Sequence, residues 1–235
     1  MRGETVMNIA GINGGIIASG SGTDANAVMT AYNIGFIPEL ADLRLISTRV
    51  GAGCLVKAEN QKIQSSVIEC RNKQEVPDFN RRLHHYIKEH HIELIILAGC
   101  VWELYPIEGV LMINIHPADT HKHGGRHMYG LKVHERVLSD IMDSIYREIK
   151  NPEDDFETCV TIHEVGFPID QGPIILKAPV KIPRDIITGL HRGSLILKDA
   201  SEKLQKHILE YEWILLPAGV RAAARKIMDE RRQDE

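Results

Sequence analysis

The spacing of apolar and polar positions changes repeatedly along the chain, and each change predicts an element. Ile9 to Ser19 is an apolar stretch interrupted by glycines, the pattern of a buried strand. It runs directly into the small-residue loop Gly20-Ser21-Gly22-Thr23-Asp24, after which Ala25 to Tyr32 has helical composition. Leu43 to Ser47 predicts a second strand, Ala52 to Asn60 a helix, and Ser65 to Cys70 a third strand. Between Asp78 and His90 the apolar residues Phe79, Leu83, Tyr86 and Ile87 recur at helical spacing. Glu93 to Leu97 and Leu111 to Ile115 are short apolar strands. A helix is expected from Leu131 to Ile149, closed by a surface loop over the acidic stretch Asn151 to Glu157 with its Pro152. Thr158 to Val165 and Pro173 to Val180 alternate as two late strands, and from Asp185 the chain is mostly helical.

Strands alternating with helices, several of them apolar throughout, predict a mostly parallel sheet covered by helices on both faces. The expected fold is α/β, a single Rossmann-like domain over 1–220 with antiparallel late strands, followed by a charged tail over 221–235. No internal repeat or low-complexity linker divides it.

Composition narrows the function more than the fold. A net charge of -4 gives no broad basic surface, so neither nucleic acid nor an anionic membrane is an expected partner. The four cysteines, Cys54, Cys70, Cys100 and Cys159, form no C-x-x-C pair, which argues against a disulfide framework or structural zinc and for free thiols in a cytoplasmic protein. Met1 to Val6 carries both charges with no long apolar run after it, unlike a signal peptide. The longest apolar run, Leu94 to Trp102, falls short of the ~20 residues that span a bilayer.

Three segments could carry chemistry. The loop Ser19 to Asp24 is poor in side chains and opens a helix, so backbone N–H groups could approach an anion there. It matches neither G-x-G-x-x-G nor G-x-x-x-x-G-K-[ST], and Asp24 reads locally as a helix N-cap. Asn114 and His116 project to one side of an extended chain at the end of a predicted strand, where open α/β sheets place ligands. An amide donor beside an imidazole suits acyl transfer: the amide stabilises a developing oxyanion and the imidazole exchanges a proton. The plainer alternative is a strand-ending Asn and a His satisfied by a backbone carbonyl. In the Gly- and Pro-rich loop Val165 to Pro173, Asp170 is the only acid, and near His116 it would orient the ring; otherwise it is a turn residue. His116, His121, His123, His127 and His134 crowd one region without any metal-ligand spacing, so a metal-free polar site is expected.

In order, these segments resemble the phosphoribosylglycinamide formyltransferase family. The matching pieces are I-I-A-S-G-S-G-T-D-A-N-A-V, L-I-S-T-R-V-G-A-G-C-L-V-K-A, I-I-L-A-G, I-N-I-H-P, G-G-R-H-M-Y-G-L-K-V-H-E-R-V-L, T-I-H-E-V-G-F-P-I-D-Q-G-P-I-I and E-Y-E-W-I-L-L-P, spanning Ile9 to Pro217. The resemblance implies a folate-dependent formyltransferase that moves a formyl group from 10-formyltetrahydrofolate, a cosubstrate, to the amine of glycinamide ribonucleotide in purine biosynthesis. It implies Asn114, His116 and Asp170 as catalytic residues, with Gly22, Thr23, Asp24 and Glu212 at the phosphorylated amine. Val101, Leu104, Val165, Gly166, Phe167 and Ile169 would line the folate site, and no metal is implied. A second copy of the chain stays open as a partner. The alternatives are a relative acting on another amine, such as an amino-sugar nucleotide, and an idle ligand-binding relative, against which the intact trio argues. The chain departs from the family pattern at Asp24, where Asn is common, and at Trp102, in place of an Arg. It departs again at Asp119-Thr120-His121-Lys122-His123, which replaces L-L-P-K-F, and in a longer stretch from Ser139 to Phe156.

Overall fold

Strand β1 (Ile12–Ala18) is apolar on both faces and lies between two parallel partners, β2 (Leu40–Ser47) and β4 (Leu94–Leu97). The computed structural model describes residues 11–234, so the readings placed on Met1 to Val6, and the start of the stretch from Ile9, lie outside the described residues. Strand β3 (Gln64–Val67) adds in parallel outside β2, which gives the order β3-β2-β1-β4. Helix α1 (Thr23–Asn33) links β1 to β2, α2 (Gly53–Asn60) links β2 to β3, and α3 (Val76–Glu89) leads to β4. Parallel neighbours need such crossovers, and burial of both faces is why β4 reads as an unbroken apolar run and β1 as a mostly apolar one. Ile16, Ile17, Leu45, Ile46, Ile95 and Ile96 are fully buried, and Phe79, Leu83 and Ile87 of α3 join them along one helical face. The edge strand β3 stops at Val67 rather than Cys70. The N–H groups of Ile68 and Cys70 bond Ser47 O and Thr48 O as an irregular extension.

The described residues fall into two compact units, 11–111 with 220–234, and 112–219. In the second, β5 (Leu111–His116), β6 (Glu157–Glu164) and β7 (Ile174–Lys181) run antiparallel in the order β5-β6-β7, as expected of the late strands. Four helices accompany them: α4 (Thr120–His123), α5 (Leu131–Tyr146), α6 (Arg184–His191) and α7 (Leu197–Asp234). Helix α5 ends earlier than the pattern predicts, because Glu148 adopts a left-handed φ of 59° and Ile149 N–H turns back to Ser144 O.

The charged segment after residue 220 is not a separate tail. It continues α7 to Asp234, with Ala223 and Ala224 fully buried. Arg225 Nε and Arg221 Nε lie 2.7 and 3.3 Å from Glu39 Oε1. Burial pushes the Glu39 carboxyl up, but hydrogen bonds from Arg225 and Arg221 outweigh it and hold the group below the usual carboxylate range. Charge alone makes the segment look solvated, whereas the i, i+3, i+4 spacing of Val220, Ala223 and Ala224 buries one face.

Candidate active site

Sheet register assembles one group of polar side chains. Asn114 on β5 sits opposite His163 on β6, and His116 sits opposite Thr161. Alternate residues of one strand share a face, as do directly opposed residues of an antiparallel pair, so all four side chains project to one side. The turn after β6 brings in Asp170. Glu164 N–H bonds Pro173 O at 2.9 Å, and Gln171 N–H bonds Pro168 O at 3.1 Å. A Cβ on Gly172 would lie 1.9 Å from Glu164 O, so only glycine lets the chain close here. Asp170 itself adopts φ 60°, a left-handed conformation that aspartate tolerates better than most residues.

Asp170 accepts the Gly125 N–H at 2.9 Å on Oδ2. The same oxygen lies 3.8 Å from His116 Nδ1, and Oδ1 lies 3.6 Å from His163 Nε2. The Gly125 bond depends on Gly124, where a Cβ would lie 2.3 Å from Thr120 O and 3.0 Å from the Asp170 Cβ. His116 is buried, and its Nε2 lies 2.9 Å from His123 O. A carbonyl oxygen only accepts, so in the neutral ring Nε2 carries the hydrogen and Nδ1 is the basic atom, facing Asp170. The backbone carbonyl of the plainer alternative is therefore present, yet it leaves one nitrogen for chemistry. Burial lowers the His116 pKa, with Asp170 and the His123 carbonyl opposing. A neutral imidazole at neutral pH, with a carboxylate beside its basic nitrogen, is a proton-exchange pair.

The remaining histidines do other work. His123 Nε2 lies 3.1 Å from Asp140 Oδ2. His134 on α5 is buried, and its Nδ1 has no hydrogen-bond partner among the described residues. Burial, with the nearby His116, pushes its pKa down to about 4. His121 and His127 are exposed. Among the described residues no cluster of three or more His, Cys, Asp or Glu is arranged to hold a metal ion. In the segment 119–123, which departs from the pattern of the family the sequence resembles, Asp119 caps α4 through the His121 N–H and pairs with Lys177 Nζ at 2.8 Å.

A second group forms in the first unit, around the loop between β1 and α1. Gly22 adopts φ 71°, and a Cβ there would lie 2.4 Å from the Cys54 Cβ, so the loop needs glycine for both conformation and space. Gly22 is also the N-cap of α1. Asp24 instead lies in the first helical turn, which corrects its reading as the cap. Ser19 ties three strand ends together: its N–H bonds Gly99 O, its hydroxyl accepts from Thr48 Oγ1, and Val101 N–H approaches the same hydroxyl at 3.4 Å. Beyond β4, Val101 is exposed while Leu104 is buried. The buried Asn80 fixes this loop, donating to Glu103 O and accepting from Tyr105 N–H at 2.7 Å. In the second unit Val165 and Gly166 are half-buried, Phe167 and Ile169 are exposed, and Glu212 is buried on α7.

Comparison with known proteins places the chain. A family profile described as formyl transferase matches residues 15–191. The chain belongs to the formyl transferase family. It is 28% identical over 178 residues to phosphoribosylglycinamide formyltransferase of Haemophilus influenzae, covering 73% of this chain and 74% of that one. It is 27% identical over 231 residues to the trifunctional purine biosynthetic protein adenosine-3 of Chironomus tentans, where the match covers 95% of this chain but only 14% of that protein. Among solved structures, phosphoribosylglycinamide formyltransferase from Brucella melitensis superposes with a TM-score of 0.66 at 24% identity, over 92% of this chain and 96% of that one. The Bacillus halodurans enzyme gives 0.62 at 26%, over 89% and 93%. The expected α/β formyltransferase fold is thus the observed one. Among the described residues no helix is long and apolar enough to cross a membrane.

Sequence reasoning missed two residues. His163 lies inside the T-I-H-E-V-G piece, but only the β5–β6 register puts it against Asn114. Asn80 sits on an otherwise amphipathic helix, and nothing local signals that it pins a loop 23 residues away.

Proposed function

We propose that this formyl transferase moves the formyl group of 10-formyltetrahydrofolate onto the amine of glycinamide ribonucleotide, a step of purine biosynthesis. The observation that carries the reading is the convergence of Asn114 and His116, from one strand, with Asp170, from a turn. The relatives named for this reaction support the choice of acceptor. The folate supplies the formyl carbon. As the amine attacks it, the carbonyl oxygen gains charge, and the Asn114 amide donates to that oxygen. His116 takes the amine proton on Nδ1, beside Asp170, which stabilises the imidazolium; the proton then passes to the departing folate nitrogen. No covalent intermediate on the protein is needed. The exposed Phe167, with Val165, Gly166, Ile169, Val101 and Leu104, is assigned to the folate.

The acceptor's phosphate is assigned to the backbone N–H groups of Gly22, Thr23 and Asp24 at the start of α1, where the helix dipole favours an anion. Glu212 is assigned to the acceptor's ribose hydroxyls as a hydrogen-bond acceptor. Purified protein should release tetrahydrofolate when given 10-formyltetrahydrofolate and glycinamide ribonucleotide, and Glu212→Ala should mainly raise KM for that acceptor. Transfer to an amino sugar with none to glycinamide ribonucleotide would replace the acceptor and keep the transferase. Absence of folate-dependent transfer to any amine would favour the idle ligand-binding reading.

A further inference from the structure

We propose that His163 is a positioning residue that sets the direction of the Asn114 amide through its Nε2 atom. The proposal rests on Asn114 acting as the oxyanion donor. His163 is almost wholly buried, at 1% exposure, and its Nδ1 lies 2.9 Å from Glu164 O. Because that carbonyl can only accept, Nδ1 carries the ring hydrogen, and the neutral ring turns a lone pair outward at Nε2. Two neighbours face this lone pair: Asn114 Nδ2 at 3.4 Å and Asp170 Oδ1 at 3.6 Å. It attracts an N–H and repels a carboxylate oxygen. The Asn114 amide is therefore held with its NH2 end toward His163, one N–H bound and the second fixed in direction.

Without that contact the amide can turn over and present its oxygen, an acceptor, where negative charge develops. Protonation of His163 has the same consequence by another route. A hydrogen on Nε2 bonds Asp170 Oδ1 and turns the amide oxygen, rather than the NH2, toward the ring. Geometry ties the role to one nitrogen: Nε2 addresses Asn114, while Nδ1 only braces the ring against the backbone.

The two nitrogens are separated by two substitutions. Glutamine carries an amide oxygen out to the position of Nε2, whereas asparagine reaches only to Nδ1. In formyl transfer from 10-formyltetrahydrofolate to glycinamide ribonucleotide, His163→Gln should keep kcat within a few-fold of the parent. His163→Asn and His163→Ala should each lower kcat roughly tenfold or more with little change in KM, part of the loss that follows removal of an oxyanion donor. In an Asn114→Ala background His163→Ala should then cost less than about twofold, because the two residues act as one unit. Imidazole nitrogen NMR of the parent should show hydrogen on Nδ1 and none on Nε2 in the neutral ring. Equal rescue by asparagine and glutamine would overturn the proposal, as would single losses that multiply in the double variant, or the opposite tautomer. Undiminished kcat in Asn114→Ala would remove the oxyanion role itself and this proposal with it.

Discussion

In His116 the two ring nitrogens face different groups, one a backbone carbonyl and the other a carboxylate, and this division makes the residue useful. With Nε2 engaged by His123 O, Nδ1 is the nitrogen open to proton exchange in the proposed mechanism. His116→Ala and Asp170→Asn should each lower turnover by about a hundredfold or more while thermal melting stays near the parent's. Near-normal turnover in either variant would remove that residue from the mechanism. His134 is instead a buried base that stays uncharged. Its pKa is pushed from an ordinary 6.5 down to about 4 by burial, so the unfolded chain binds the proton more readily than the folded one. Stability is full above pH 6.5 and is lost as pH falls toward 4, by on the order of 3 kcal/mol for this group. His134→Leu should flatten that part of the melting-temperature profile; an unchanged profile would place the pH dependence on another group. These residues differ in how legible they were. Asn114, His116 and Asp170, the proposed catalytic residues, stand in short strings, N-x-H-P and D-x-G-P, that the family resemblance marks. His163 has meaning only through its cross-strand partner, and one strand's sequence does not specify register.

At the scale of elements, period decides what can be read. Strands β1, β4 and β5 and helix α3 were visible because burial makes the strands mostly apolar, β4 without a break, and imposes a 3.6-residue repeat on the helix. Boundaries were less visible, because they depend on single backbone conformations such as the left-handed Glu148 that stops α5. The same reasoning separates two glycines from ordinary turn residues. Gly172→Ala would drive a methyl into Glu164 O, so the turn that carries Asp170 must open. We expect loss of most transferase activity with only a modest fall in melting temperature, because the turn closes a site rather than the core. Gly22→Ala meets both an unfavourable φ and the Cys54 side chain. Its expected signature is weaker acceptor binding, since the loop that opens α1 must move. An alanine at Gly22 that leaves KM for the acceptor unchanged would detach that loop from the phosphate.

For the whole molecule, the informative segment is the last one. Read by charge, residues 221–235 look like a solvated tail; read by spacing, Val220, Ala223 and Ala224 form a buried stripe on α7 and belong to the first compact unit. Two arginines on the same stretch pair with Glu39, whose carboxyl is only 10% exposed and needs them to stay below the usual pKa range. Arg231 pairs in addition with Glu93, just before β4. Removing residues 221–235 would therefore do three things at once. It would expose two alanine methyls, worth about 0.8 kcal/mol per carbon group. It would break partly exposed ion pairs worth about 0.2–1 kcal/mol each. It would also leave Glu39 with its desolvation uncompensated, at a cost of about 1 kcal/mol or more. The sum is about 3 kcal/mol, which for a chain of this size corresponds to a melting temperature lower by about 6–12 °C. Glu39→Gln removes the charge but keeps the buried stripe, so it should fall by much less. A truncated protein that melts with the parent would return the segment to the status of a tail, whereas equal losses from truncation and from Glu39→Gln would assign the stabilisation to charge rather than to burial.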